Sequence, residues 1–305
     1  MAATDERRSS LPTTNTGTHA GAFGASEWGL LTGIALIWGS SFVFMAIGLD
    51  SFRPGVVTLA RVALGAGTLA LVPKARTSID RADRNRVFAL GIVWIGIPLI
   101  LFPIAQQWID SAVAGMLNGA VPLMTALWST LLLKRLPGWR QLLGIGIGFV
   151  GVLAVSAPEL VTSSATALGT ALVLVAIVLY GLSTNLAVPL QQKYGALPIL
   201  FHAQLAALVI VVPFGLIQIP GSTWSWPSAL AMLPLGALST ALAFILMANL
   251  VGRVGGPRGS VAIYFVPIVA IVLGVVIRGD AIEPIAIAGA AFVLLGAWVT
   301  SRREA

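Results

Sequence analysis

The sequence predicts an all-α integral membrane protein in which ten transmembrane helices form two inverted five-helix repeats. Four observations predict it. The 305 residues are 57% hydrophobic and only 10% charged, against about 25% charged in a soluble domain, and the mean hydropathy is +0.95. The apolar residues fall into runs of about 20, the length that carries a helix across roughly 30 Å of hydrocarbon. The basic residues gather on alternate connections between those runs, and parts of the first half recur in the second at a fixed offset.

Residues 1–26 are polar and include Asp5, Glu6, Arg7 and Arg8. They lack the cationic start, apolar stretch and cleavage site of a signal peptide, so a disordered cytoplasmic tail is expected. Apolar segments follow at 28–48, 54–73, 87–107, 112–133, 141–158, 168–189, 196–219, 228–250, 259–277 and 284–300. Each is read as a helix, because lipid offers backbone groups no hydrogen bonds and the chain must satisfy them internally. A soluble helical core does not need segments so long and so uniformly apolar.

Connections after the odd-numbered helices contain only Arg53 and Arg278 as cations, beside Asp50, Asp110, Glu159, Asp280 and Glu283. The even-numbered connections and both tails contain Lys74, Arg76, Arg81, Arg84, Arg86, Lys134, Arg135, Arg140, Lys193, Arg253 and Arg258, along with Arg7, Arg8, Arg302 and Arg303. Cytoplasmic loops carry the excess of Lys and Arg, so both termini are expected in the cytoplasm. The net charge of +7 is therefore a topology signal and implies no nucleic-acid partner. With no cysteine, disulfides and thiolate metal sites are absent. Fifteen arginines against three lysines, with abundant Ala and Gly, hint at a GC-rich bacterial genome.

Laying Pro122 over Pro267, an offset of 145, brings Val121 onto Val266, Gly144 onto Gly289 and Gly151 onto Gly296. A looser match sets Trp38-Gly39-Ser40-Ser41 against Tyr180-Gly181-Leu182-Ser183. Each half holds five spans, an odd number, so the second half enters the bilayer from the opposite side. Inverted repeats of this kind build the two exchangeable states of many secondary carriers around a site near the midplane.

The stretches WGSSF at 38–42, Arg61 within 54–61, IPLILFPIAQQWIDSAVAGMLNGAVPLMTALWSTLLL, LLGIGIGFVGVLAV, LSTALAFILMANLVGRVGGPRGSVAIYFVPIVAIVLGVVIRGD and IAGAAFVLLGAWV occur in an order and spacing that resemble the EamA-type transporters of the drug/metabolite transporter superfamily. The resemblance spans two five-helix repeats, 28–158 and 168–303. It implies a ten-helix carrier of the bacterial inner membrane, commonly an exporter of amino acids or related metabolites, although uptake members exist. Members often close the fourth and ninth helices with Gly-Glu; this chain has Leu133-Lys134 and Gly279-Asp280 at those places.

All eleven carboxylates fall in tails, connections or helix ends, so the chain lacks the buried Asp or Glu that proton-driven carriers often use. His202, in the seventh helix, is the side chain near the core that titrates near neutrality; it is a coupling candidate or a hydrogen-bonded packing histidine. Arg61 could hold a substrate carboxylate in its planar fork, or could bond helix-end carbonyls or snorkel outward. Trp38, Ser40, Ser41, Trp94, Gln106, Asn118, Thr125, Tyr180, Asn185, Gln204, Thr240 and Tyr264 are neutral pathway candidates, each also able to act as interhelical glue worth about 0.6 kcal/mol. Trp38, Asn118, Tyr180 and Tyr264 are preferred, because the resemblance places their helices around the central cavity. Pro122 and Pro267, at equivalent repeat positions, are candidate hinges or static kinks. Gly144 and Gly148 form a small-residue face expected to pack the fifth helix within the monomer.

The leading expectation is a secondary carrier moving a small amphipathic metabolite through the lipid bilayer. No cofactor and no metal site is expected, and no nucleotide-binding loop reads G-x-x-x-x-G-K-[ST], so direct ATP drive is not expected. A membrane enzyme would need clustered nucleophiles, metal ligands or acid/base pairs at depth. A passive channel would be expected to show charge rings or a backbone filter. A membrane scaffold is a further alternative, and the oligomeric state is left open.

Overall fold

The computed structural model describes residues 24–133, 138–254 and 261–301. The expected tail up to residue 23, His19, Lys134, Arg135, Arg258 and the final basic pair lie outside the described residues. Among the described residues every regular element is helical. The helices are α1 (Ala25–Leu49), α2 (Pro54–Ala70), α3 (Arg81–Ala105), α4 (Ser111–Leu132), α5 (Trp139–Thr162), α6 (Ser164–Tyr194), α7 (Ala196–Gln218), α8 (Trp226–Val251), α9 (Ala262–Arg278) and α10 (Pro284–Ser301). Seven are long and apolar enough to cross a membrane; α2, α9 and α10 are shorter apolar helices. This is a multi-pass membrane protein. Leu131, Phe149, Val209, Val276 and Phe292 point apolar side chains outward, far more than a soluble surface tolerates.

Local chemistry sets the ends. Pro54 and Pro284 open α2 and α10, where a missing N–H costs nothing. Ser163 caps α6, its hydroxyl accepting from the Thr166 N–H at 3.1 Å. Gly195 (φ 87°) ends α6 and Gly279 (φ 69°) ends α9, conformations that a Cβ disfavours. Several helices run past the expected limits: α3 begins at Arg81 and α6 reaches Tyr194, because the polar extra turns project beyond the apolar run.

Four helices are interrupted. α4 breaks at Gly119–Ala120 and α9 at Phe265, in each case just ahead of Pro122 and Pro267, whose rings exclude the carbonyl of the preceding turn. α3 widens to a π-helical turn over Ile92–Gly96, and α8 does so over Pro234–Leu242. The break and the widening in the first half each have a counterpart near the 145-residue offset in the second.

The packing is dominated by contacts between the two halves: α1 with α8 and α9, α6 with α3 and α4, α2 with α7 and α8, α3 with α7, and α5 with α10. Glycines let the backbones meet. A Cβ on Gly151 would strike the Gly289 carbonyl and the Val293 N–H, and one on Gly296 would strike Gly148 and the Gly144 carbonyl. The contact rises along α5 as it falls along α10, so these helices run antiparallel. Gly144 and Gly148 pack within the monomer, as expected. In the same way Gly39 abuts Val269, and Gly181 abuts Met124. The largest core cluster, around Phe42, Phe102, Met116, Leu117, Ile177 and Val293, draws on both halves.

Candidate functional site

The middle of the bundle holds an aromatic cluster. Trp38 on α1 donates its indole N–H to the Ser239 carbonyl at 3.1 Å and meets the Phe244 ring edge-on at 5.2 Å. Trp94 meets the same ring at 5.8 Å. Across the core Phe102 stacks on Tyr180 at 6.0 Å and contacts Phe42 at 5.7 Å. Trp94 and Ser239 sit on the π-helical stretches of α3 and α8, where a wide turn changes which residues face inward; such turns frequently mark functional sites.

Against this cluster lies a small polar network. Arg61, about two turns into α2 and 8% exposed, donates from Nε to the Thr240 hydroxyl at 3.0 Å. That hydroxyl donates to the Leu235 carbonyl at 2.9 Å, and the side-chain amide of Gln204, wholly buried, donates to the Thr240 carbonyl at 2.8 Å. Gln204 Oε1 is buried without a partner. Among the described residues no carboxylate lies within ion-pair distance of Arg61. The buried guanidinium thus has one neutral hydroxyl as its hydrogen-bond partner among the described residues, which leaves its fork able to take an anion.

The other sequence candidates disperse. Asn185 donates to the Thr125 and Gly181 carbonyls at 3.0 and 2.9 Å, tying α6 to α4, and the Tyr264 hydroxyl donates to the Ala297 carbonyl at 2.9 Å, tying α9 to α10. Ser40 bonds the Ile37 carbonyl of its own helix. Asn118 is half-buried with no side-chain hydrogen bond among the described residues. His202 faces away from Gln204, into a peripheral groove beside Phe88, with Nδ1 2.9 Å from the Pro198 carbonyl; residues two apart on a helix point to opposite sides. Sequence reasoning missed Phe102, Ser239 and Phe244. Phe in an apolar helix carries no signal, and Ser239 contributes a backbone carbonyl.

Polar ties close each end of the bundle. At one end Arg278 clamps Asp50 with bonds of 2.7 and 2.9 Å, and Asp280 accepts from the Ser111 hydroxyl at 2.6 Å and the Ala112 N–H at 2.9 Å. Gly279-Asp280 therefore caps α4 from the other half. Beside it, burial and the neighbouring Asp280 push the Asp110 carboxyl above its ordinary range. At the opposite end Lys193 Nζ lies 2.8 Å from both Asp80 and Asp83, and the Tyr194 hydroxyl lies 2.9 and 2.8 Å from the same carboxylates. The Lys193 ammonium, and then Tyr194, hold the Asp80 carboxyl below its ordinary value.

Known proteins share this architecture. A crystal structure 17% identical in sequence superposes with a TM-score of 0.61 over 91% of this chain and 96% of its own. An uncharacterized transporter of Archaeoglobus fulgidus is 24% identical over 91% of this chain and 99% of its own length. A protein of Streptantibioticus cattleyicolor named a probable terminal-alkyne amino-acid exporter is 25% identical over 90% and 93%. The model of the EamA-like transporter family matches residues 27–157 and 167–302, nearly all of the described fold with its aromatic centre and paired halves, and the chain belongs to that family.

Proposed function

We propose that this membrane transporter is a secondary carrier that exports an amino acid or a related amphipathic metabolite across the bacterial inner membrane by alternating access, with both termini in the cytoplasm. The reading rests chiefly on one relationship between the halves. The 145-residue offset carries the contact of Gly151 with Gly289 onto that of Gly296 with Gly144, and the contact of Gly181 with Met124 matches that of Gly39 with Val269. Such reciprocity, with α5 and α10 antiparallel, is what a two-fold axis in the membrane plane produces. It supports ten spans in two inverted repeats, whose exchange of conformations would open one site to each side in turn.

The helix ends support the orientation. Trp28, Trp139 and Trp298 border the Arg-rich ends, and Trp108, Trp224 and Trp226 border the other, as tryptophans do at the two membrane interfaces.

The substrate would sit with its carboxylate on Arg61 and its side chain among Trp38, Trp94, Phe244 and Tyr180. The amino-acid class draws support from this cation-plus-aromatic pairing and from the relative named as an amino-acid exporter. Pro122 and Pro267, each following a break, are the bending points in this scheme. Asn118, half-buried and without a side-chain hydrogen bond among the described residues, would line the route.

Counterflow in proteoliposomes tests the reading: preloaded unlabelled amino acid accelerates uptake of labelled substrate. Flux indifferent to preloading would make the protein a channel.

A further inference from the structure

A groove of about 420 Å³ opens on the outer surface of the bundle between α3 and α7, remote in chemistry from the aromatic centre. Its walls are Val87, Phe88, Leu205 and Val209, and its polar end carries Arg84 and His202. Phe88 is 46% exposed, Leu205 43% and Val209 59%, so the groove faces the hydrocarbon sideways. Nearby, the two helices approach backbone to backbone where Gly91 abuts the Ala203 carbonyl. Depth there is set by the absence of a side chain.

The polar end has an unspent charge. Arg84 donates from Nε to the Ile79 carbonyl at 3.3 Å and has no carboxylate within ion-pair distance among the described residues. The neighbouring carboxylates are engaged elsewhere: Asp80 and Asp83 hold Lys193, and Asp83 also takes Arg86 at 3.3 Å. Because His202 turns Nδ1 to the Pro198 carbonyl, its other ring nitrogen has no protein partner among the described residues. The short turn Pro73–Arg76, which packs on α7, adds Lys74 and Arg76 to the same end of the bundle, and Arg81 opens α3. An apolar slot that meets the lipid laterally and ends in a guanidinium with no carboxylate partner among the described residues matches a molecule with acyl chains and a phosphodiester. Basic pockets between membrane helices on the Arg- and Lys-rich side take such headgroups.

We propose that this groove binds an anionic phospholipid, its phosphodiester held by Arg84 and an acyl chain laid along Phe88, Leu205 and Val209. Since α3 and α7 belong to opposite halves, the bound lipid would bridge the seam between them.

The full chain, purified in a neutral detergent and stripped of lipid, is titrated with dioleoylphosphatidylglycerol, dioleoylphosphatidylcholine or glycerol 3-phosphate. Adducts are read by native mass spectrometry and stability by thermal unfolding. Phosphatidylglycerol is expected to be retained and to raise the midpoint, with the other two weaker. Arg84→Gln is expected to weaken phosphatidylglycerol about tenfold, the loss of a charge-assisted pair. Leu205→Trp, which fills the slot and keeps the charge, should lower retention as well and serves if Arg84→Gln fails to fold. Equal binding of both lipids, or wild-type retention by either variant, overturns the proposal. Binding of glycerol 3-phosphate as tight as that of the lipid would assign Arg84 to a soluble phosphate instead.

Discussion

Lys193 sets its ammonium 2.8 Å from Asp83 Oδ2, whereas Ser228, the residue that the 145-residue offset lays over Asp83, offers only a hydroxyl, donated to the Ile47 carbonyl at 2.7 Å. At these offset-related positions α3 and α6 are therefore tied by ions, and α1 and α8 by a neutral bond. Parting α3 from α6 there should cost more than parting α1 from α8. Asn118→Cys gives a single thiol in a chain without cysteine, at a side chain with no bond to lose. Adding Lys193→Ala is expected to raise its labelling rate from the Arg-rich side several-fold, while Ser228→Ala leaves that rate unchanged. An equal effect of both would refute the inequality.

The α5–α10 contact permits a packing test. Gly151→Leu must displace the Gly289 carbonyl, and overpacking of this kind costs about 1–3 kcal/mol. Gly146, which has open space around the position of a Cβ, should accept Leu with a change within about 0.5 kcal/mol. Thermal unfolding in detergent compares the two; similar midpoints would mean the helices do not meet as described.

Arg61 separates a binding role from a packing role. Arg61→Gln is expected to reduce counterflow about tenfold or more, since charge-assisted hydrogen bonds contribute about 1.5–3 kcal/mol, with the unfolding midpoint nearly kept. Thr240→Val removes the Arg61–Thr240 bond but leaves the charge, and should spare most of the flux. If Thr240→Val is as damaging as Arg61→Gln, the guanidinium serves the helix contact.

Asp110 carries a pH signature. Its carboxyl is raised by burial and by Asp280, so the folded protein binds that proton more tightly than the unfolded chain does. The penalty for ionising it is absent below the unfolded value and grows as pH rises through the raised one. Asp110→Asn should match wild type at low pH and exceed it near neutrality by on the order of 1–2 °C. A difference that shrinks with rising pH would show that the shift has the opposite sign.

Much was legible in the sequence for a simple reason: lipid penalises every unsatisfied or charged group, so composition is dictated segment by segment. The apolar runs appear as helices, the prolines mark the breaks, and Arg61 stands out because a cation at depth is rare. The same uniformity hid the rest. In a helix made almost wholly of apolar residues the side chain that faces inward carries no periodic mark, so Phe244 and Phe102 could not be told from lipid-facing neighbours, and His202 could not be separated from Gln204. The π-helical turns add to this, since each shifts the inward face by one residue.

The chain alone determined that it lives in a membrane, where its helices lie, and that its halves are related, all consequences of solvation and of a repeated pattern readable residue by residue. Tertiary structure alone decided that Arg61 meets Thr240 rather than a carboxylate, that Asp280 caps a helix of the other half, and that Arg84 ends an open groove. Those depend on approach between segments far apart in the chain, and side-chain geometry at such meetings is set by packing, which no local stretch encodes.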